Sequence, residues 1–112
     1  MVINERKQDD IDIVVLTGRF VMANAPEVRE RLLSLIAHNG NKLVIDLEKV
    51  TFIDSSAFAV LVAAYKEMQS KSGHLVLVTN PVVQSLLELT RLQTIFEIMP
   101  SQTVALETLA KR

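Results

Sequence analysis

The segment at residues 43–68, LVIDLEKVTFIDSSAFAVLVAAYKEM, limits the possible folds of this chain more than any other stretch. Its first five residues form an apolar run with one aspartate, typical of a strand buried on both faces of a parallel sheet. Its second half carries apolar residues at three- and four-residue steps, which predicts a helix. Those helical positions are Phe58, Leu61, Val62, Tyr65 and Met68. The segment thus predicts a strand, a polar turn and a helix, and open α/β sheets usually carry their functional groups at such a turn.

The residues before this segment predict a hairpin and a helix. Alternating apolar residues indicate a strand over 11–17 that ends at Gly18, and residues 2–5 supply a short edge strand ahead of it. A helix is predicted over 23–37, with Asn24 as its cap. Its apolar stripe consists of Ala25, Val28, Leu32, Leu35 and Ile36.

Turn-forming residues divide the rest of the chain into further strands and helices. Asn39-Gly40-Asn41 ends the first predicted helix, and Ser72-Gly73 ends the second. Apolar positions of the later helices include Leu89 and Val104. The later elements are, in order, a strand over His74–Val78, a helix opened by Asn80-Pro81, a short strand over 95–98 and a terminal helix opened by Pro100-Ser101. This alternation predicts an α/β fold, with a mixed, mostly parallel sheet of four to five strands and about four helices.

Composition excludes several classes of protein. A chain of 112 residues holds one domain, and a formal net charge of −1 does not fit binding to nucleic acid, which requires a basic surface. The absence of cysteine excludes disulfides and thiolate chemistry and fits a reducing compartment. The N-terminus has charges where a signal peptide needs an apolar core, and no apolar run is long enough to span a membrane. A cytoplasmic domain without membrane contact is therefore predicted.

The polar turn Asp54-Ser55-Ser56 is the candidate functional site. These side chains accept hydrogen bonds from the free N–H groups of a helix's first turn, so Ser55 or Asp54 could simply cap the helix. Alternatively, Ser55 is a phosphoacceptor, because a helix N-terminus tolerates the added negative charge. Ser56 is a weaker alternative that fits a capping role better, and Thr51 fits the end of the strand.

Catalytic and metal-binding patterns are missing from the sequence. His38 and His74 stand alone, and Ser55 has no evident histidine to activate it for nucleophilic attack. No metal-binding pair, glycine-rich phosphate loop or nucleophile elbow is present. We therefore predict neither an enzyme nor a cofactor or metal site.

The stretch VIDLEKVTFIDSSAFAVLVAAYKEM resembles the central segment of the STAS family, the bacterial anti-sigma-factor antagonists, in which a "DL" strand leads to F-(I/M)-D-S-(S/T)-G-L-G and a helix. LTGRFVMANAPEVRERL is similar to that family's first helix and the loop before it, and GHLVLVTNPVVQSLLELTRLQTIFEIMPS to its closing elements. The resemblance covers nearly the whole chain. It implies a single STAS domain at residues 1–112.

The resemblance also implies a switch. The family's regulated phosphoacceptor, the serine directly after the motif aspartate, corresponds to Ser55. The unphosphorylated protein would bind an anti-sigma factor that is also a serine kinase, and so release a sigma factor. Phosphorylation would break the complex, and a phosphatase would reset it. The implied contact residues, around the turn and in the loop after Gly18, are Asp54, Ser55, Ser56, Ala57, Phe58, Arg19, Phe20 and Val21.

Three departures from the family pattern keep a second function open. Ala57 and Ala59 replace the two motif glycines, and Phe58 replaces the leucine between them. Alanine favours a helix over glycine by up to about 1 kcal/mol, so this helix start should be stiffer, and each methyl narrows the approach of a partner. The aspartate that often follows the first motif glycine is absent from Gly18-Arg19-Phe20-Val21. The alternative is a constitutive STAS scaffold, a subunit of a signalling or transporter complex that is not phosphorylated.

Overall fold

A five-stranded sheet is the centre of the structure, a computed structural model that describes residues 1–38 and 40–112. The strands are β1 (Val2–Gln8), β2 (Ile11–Phe20), β3 (Lys42–Ile53), β4 (His74–Val78) and β5 (Glu97–Met99). The helices are α1 (Ala25–His38), α2 (Ser55–Ser70), α3 (Pro81–Thr90) and α4 (Gln102–Ala110), with a 3₁₀ turn at Leu92–Thr94.

The strands lie in the order β1-β2-β3-β4-β5. β1 and β2 form an antiparallel hairpin, and every later neighbour pair is parallel. The predicted α/β class, with its mixed and mostly parallel sheet, is therefore confirmed. Because β2 and β3 are parallel and paired to their ends, with Phe20 opposite Ile53, the loops that follow them emerge at the same edge of the sheet.

Two apolar layers cover the sheet. On one face α1, α2 and α3 pack over Leu16, Ile45 and Leu77, which are fully buried. On the other face α4 places Ala105 and Leu109 against a smaller cluster of strand residues, namely Ile11, Ile13, Val44, Val76 and Val78. Of the apolar residues that the sequence places on the later helices, Leu89 on α3 is 81% exposed and Val104 on α4 is also exposed.

β2 and β3 are longer than predicted. Irregular pairing interrupts the alternation of apolar residues from which their ends were predicted. Gly18 does not end β2; it lies inside the strand with φ 110° beside a register shift, a backbone angle that favours glycine. In β3 the buried side chains Leu47, Val50 and Ile53 follow one another at three-residue steps instead of two. Bulged pairing of this kind interrupts alternation without ending a strand.

Several predicted boundaries shift by two residues. α1 begins at Ala25 rather than at 23, and Asn24 does not use its side chain as a cap: its Oδ1 accepts from Val21 N–H (2.9 Å) and its Nδ2 donates to the Arg19 carbonyl (2.7 Å). β5 begins at Glu97 rather than at 95. Residues 39–41 were predicted to end α1, and Asn39 among them lies outside the described residues.

Asn80 joins α3 to the irregular part of β3. Its Oδ1 accepts from Val83 N–H at 2.8 Å, which caps the helix as its position before Pro81 predicts. Its Nδ2 donates to the carbonyls of Glu48 (2.9 Å) and Val50 (2.8 Å). One amide thus provides donors for β3 carbonyls that lie beyond the last β3–β4 pair, Asp46 with Val78.

Candidate functional site

The candidate site lies at the edge of the sheet where β2 and β3 end. β3 ends at Ile53, Asp54 follows, and α2 begins at Ser55. Beside this turn, the backbone leaves β2 after Phe20 and passes through residues 21–24 to α1. The parallel pairing of the two strands therefore brings together the two segments that the sequence suggested as one surface.

The Asp54 carboxylate makes hydrogen bonds to both segments. Its Oδ1 accepts from Ala57 N–H (3.1 Å), the N-cap interaction of α2, and its Oδ2 accepts from Met22 N–H (2.9 Å) in the neighbouring loop. Its own N–H donates to the Phe20 carbonyl at 3.3 Å. One carboxylate thus fixes the start of α2 and the path of the loop after β2.

These N–H donors lower the pKa of Asp54. Partial desolvation raises the pKa of Asp54, but hydrogen bonds from the backbone N–H groups of Ala57, Met22 and Ser56 outweigh it, and the pKa lies below its usual value. The turn therefore carries a full negative charge at neutral pH, next to the positive end of the α2 dipole.

Ser55 is the exposed residue of the turn. It occupies the first position of α2, and its hydroxyl has no hydrogen-bond partner among residues 1–38 and 40–112. Because Asp54 is the cap, the capping interpretation of Ser55 is wrong, and the same holds for Ser56, which is half-buried in the first turn. Thr51 is exposed within β3, two residues before the strand ends.

The predicted contact residues separate into exposed and buried ones. Phe20 and Ala57 have fully buried side chains, which corrects their prediction as contacts: they support the turn from below. Val21 and Phe58 are half-buried. Arg19 is exposed and lies over the ring of Phe52 at 5.2 Å from its centroid, a cation–π arrangement.

A groove between α1 and α2 adjoins Ser56, and the sequence did not reveal it. Its volume of about 720 Å³ lies within the ~300–1,000 Å³ range of ligand clefts. We call it the α1–α2 groove; its apolar lining consists of Met22, Ala25, Pro26, Leu33, Ala59 and Val60. Met22 is 71% exposed. Only the contact of two helices creates this groove, so no local motif indicates it.

Within the described residues, no three side chains of His, Asp or Glu form a group able to hold a metal ion. The Nδ1–H group of His38 donates to the Ser34 carbonyl at 2.9 Å, a contact within α1. None of the helices in the described part of the chain has the length and apolar character needed to cross a membrane.

Comparisons with known proteins agree on one family. The STAS domain profile matches residues 2–105. The anti-sigma-B factor antagonist of Listeria monocytogenes is 37% identical over 97 residues, which is 86% of this chain and 84% of that protein. The crystal structure of an anti-sigma factor antagonist from Mycobacterium paratuberculosis superposes with a TM-score of 0.89 at 25% identity, covering 97% of this chain and 93% of the other.

A more distant likeness concerns the fold alone. The anti-sigma factor antagonist SpoIIAA in its unphosphorylated form has a TM-score of 0.77 at 12% identity, with 98% of each chain covered. The sheet order and helix placement described above are therefore shared by proteins whose sequences have diverged widely.

Proposed function

This chain belongs to the STAS domain family, and on that premise we propose that it is an anti-sigma-factor antagonist switched by phosphorylation of Ser55. In its unphosphorylated form it binds an anti-sigma factor and frees the sigma factor which that partner holds. The partner is also the serine kinase that modifies Ser55, and a phosphatase restores the binding form. The proposed place of action is the cytoplasm, where bacterial transcription occurs.

The observation that carries this proposal is the exposed Ser55 hydroxyl, which no described residue engages. A kinase needs an accessible hydroxyl, and a serine that capped α2 would have to give up its hydrogen bond. Asp54 performs the capping instead, so phosphorylation of Ser55 leaves the helix start intact. The position of Ser55 directly after the motif aspartate supports the same assignment by family resemblance.

Phosphorylation would act through charge at the docking surface. A phosphate adds roughly −1.5 to −2 charges beside Asp54, whose lowered pKa keeps it ionised. The N–H groups and dipole of α2 tolerate this charge within the free protein. An interface that covers Ser55 must desolvate the phosphate, so the partner dissociates while the domain stays folded.

The test is intact-mass analysis after incubation with ATP and each anti-sigma-factor kinase of the same organism. Ser55→Ala is the test variant and Ser56→Ala the matched control, one residue further along the same helix turn. We expect wild type and Ser56→Ala to gain one phosphate, Ser55→Ala to gain none, and the phosphorylated protein to lose its partner in size-exclusion chromatography.

The constitutive scaffold is the second candidate because Val21 stands where the family often has an aspartate, and because Ala57 and Ala59 replace two motif glycines. A scaffold would bind its partner stably and stay unmodified with every kinase. Phosphate on Ser56 or Thr51 but not on Ser55 would move the switch to another residue of the same edge.

A further inference from the structure

The α1–α2 groove begins where the Ser55 turn ends. Ser56 lines the groove and is the direct neighbour of Ser55 along α2. Met22 also lines the groove, and its backbone N–H donates to Asp54, which caps α2. A partner that covers Ser55 therefore meets Met22 and the groove on the same side of the molecule.

We infer that the α1–α2 groove receives an apolar segment of the anti-sigma factor, with Met22 as the exposed anchor of this contact and Asp54 as the residue that positions it. This inference rests on the proposed function, which it extends from Ser55 to a second part of the docking surface. The groove wall combines apolar side chains with one cation and one anion, Arg29 and Glu30. The fitting segment therefore carries apolar side chains flanked by charges of both signs.

Met22 has the properties of an anchor at an interface. It is 71% exposed, so water surrounds a large apolar side chain that no core packing requires. Methionine adapts its shape to the surface that it meets and is frequent at binding surfaces. Its backbone N–H donates to Asp54 Oδ2 at 2.9 Å, so docking has to order the Met22 side chain but not its backbone.

Ala59 makes the groove particular to this chain. The two alanines that replace the family's glycines have different surroundings: Ala57 is fully buried beneath the helix start, whereas Ala59 is exposed and lines the groove. The methyl group of Ala59 therefore narrows the space open to a partner, whereas that of Ala57 packs in the core. A larger side chain at Ala59 would fill the groove without disturbing the core.

Binding to purified anti-sigma factors from the same genome tests the groove by isothermal titration calorimetry. We expect Met22→Ala and Ala59→Leu each to weaken the complex by about tenfold or more, the effect of removing or blocking an interface anchor. The matched controls are Leu89→Ala, an exposed apolar residue on α3, and Ala110→Leu, an exposed alanine on α4 at the opposite face. Both controls should bind as the wild type does.

Amide hydrogen exchange tests the positioning role of Asp54 without a partner. We expect the Met22 amide to exchange at least about tenfold more slowly than that of Ala23, whose N–H has no acceptor among the described residues. Asp54→Ala should abolish this difference, and Asp54→Asn serves if the alanine variant does not fold. Equal exchange at Met22 and Ala23 in the wild type would overturn the positioning role.

The binding outcomes separate this inference from the proposed function. A wild-type complex that Met22→Ala and Ala59→Leu leave unchanged overturns the groove and leaves the Ser55 switch intact. Failure of the wild type to bind any anti-sigma factor of its genome overturns both. Equal weakening by the α3 and α4 controls would show that surface changes in general, and not the groove, govern binding.

Discussion

At the scale of single residues, Asp54 and Ser55 divide two tasks that a polar helix start usually combines. Asp54 takes the N–H groups of α2 and of Met22, so it performs the structural task. The Ser55 hydroxyl has no hydrogen-bond partner among the described residues, so it is available for phosphorylation. The residue types alone could not separate these roles, because aspartate and serine are equally good caps and only the backbone geometry decides which side chain reaches Ala57.

The lowered pKa of Asp54 predicts how acid affects stability. The unfolded chain binds the Asp54 proton at a pKa of about 3.9, and the folded protein binds it only at lower pH. The stabilisation from the ionised carboxylate is therefore complete above that unfolded value and is lost as pH falls through the lowered folded value. We expect the difference in unfolding free energy between wild type and Asp54→Asn to be largest near neutral pH.

Urea unfolding of both proteins between pH 7 and pH 3, followed by circular dichroism, measures this difference. The difference should shrink only below about pH 4, since above it Asp54 is ionised in both states. Glu97→Gln is a positive control, because a side-chain hydrogen bond from Arg112 lowers the pKa of Glu97 at a distant surface, so its difference should also shrink in acid. A constant difference across the whole range would mean that the charge of Asp54 does not contribute.

At the scale of elements, regular patterns predicted the chain well and irregular ones did not. Four residues of the predicted helix stripe, Ala25, Val28, Leu32 and Ile36, are buried because an uninterrupted helix keeps its period, and the fifth, Leu35, is half-buried. The continuation of β3 was missed because its buried residues shift from two- to three-residue steps after Leu47. The α1–α2 groove was missed for a different reason, since it arises from packing between elements.

Substitutions at Asn80 should lower the stability through two elements, α3 and β3, because the side chain bonds to both. Asn80→Ser keeps an oxygen that can cap α3 but removes the amide that donates to Glu48 and Val50. We expect this variant to lose about 1–3 kcal/mol of unfolding free energy, because carbonyls of β3 lose their donor. Asn80→Ala should lose a further ~0.5–2 kcal/mol, the usual value of an N-cap.

Chemical denaturation of the two Asn80 variants gives these free energies. The control is Ser101→Ala, which removes only a cap, since the Ser101 hydroxyl accepts from Val104 N–H at 3.2 Å and has no other side-chain partner among the described residues. If Asn80→Ser is as stable as the wild type, water satisfies the β3 carbonyls and the amide bridge is not required.

At the scale of the whole molecule, the sheet lies between two apolar layers. β2, β3 and β4 each send side chains into the three-helix layer and into the α4 layer. Loss of either layer exposes one face of the same strands to water. We therefore expect residues 1–112 to unfold as one cooperative domain, as the size of the chain predicts.

Leu109→Ala tests this cooperativity because Leu109 is fully buried in the α4 layer. The substitution should lower the unfolding free energy by about 2–5 kcal/mol.

The single tyrosine, Tyr65, reports on the opposite layer, where its ring meets Phe96 edge-on at 5.6 Å between centroids. In a cooperative domain, the near-ultraviolet dichroism of Tyr65 and the far-ultraviolet signal of the helices lose their native values at the same, lowered midpoint. Val104→Ala, a change on the exposed side of the same helix, should shift both signals only slightly. If Leu109→Ala instead moves part of the helical signal to lower denaturant while the Tyr65 transition stays in place, α4 unfolds separately, and the sheet is stabilised by the three-helix layer alone.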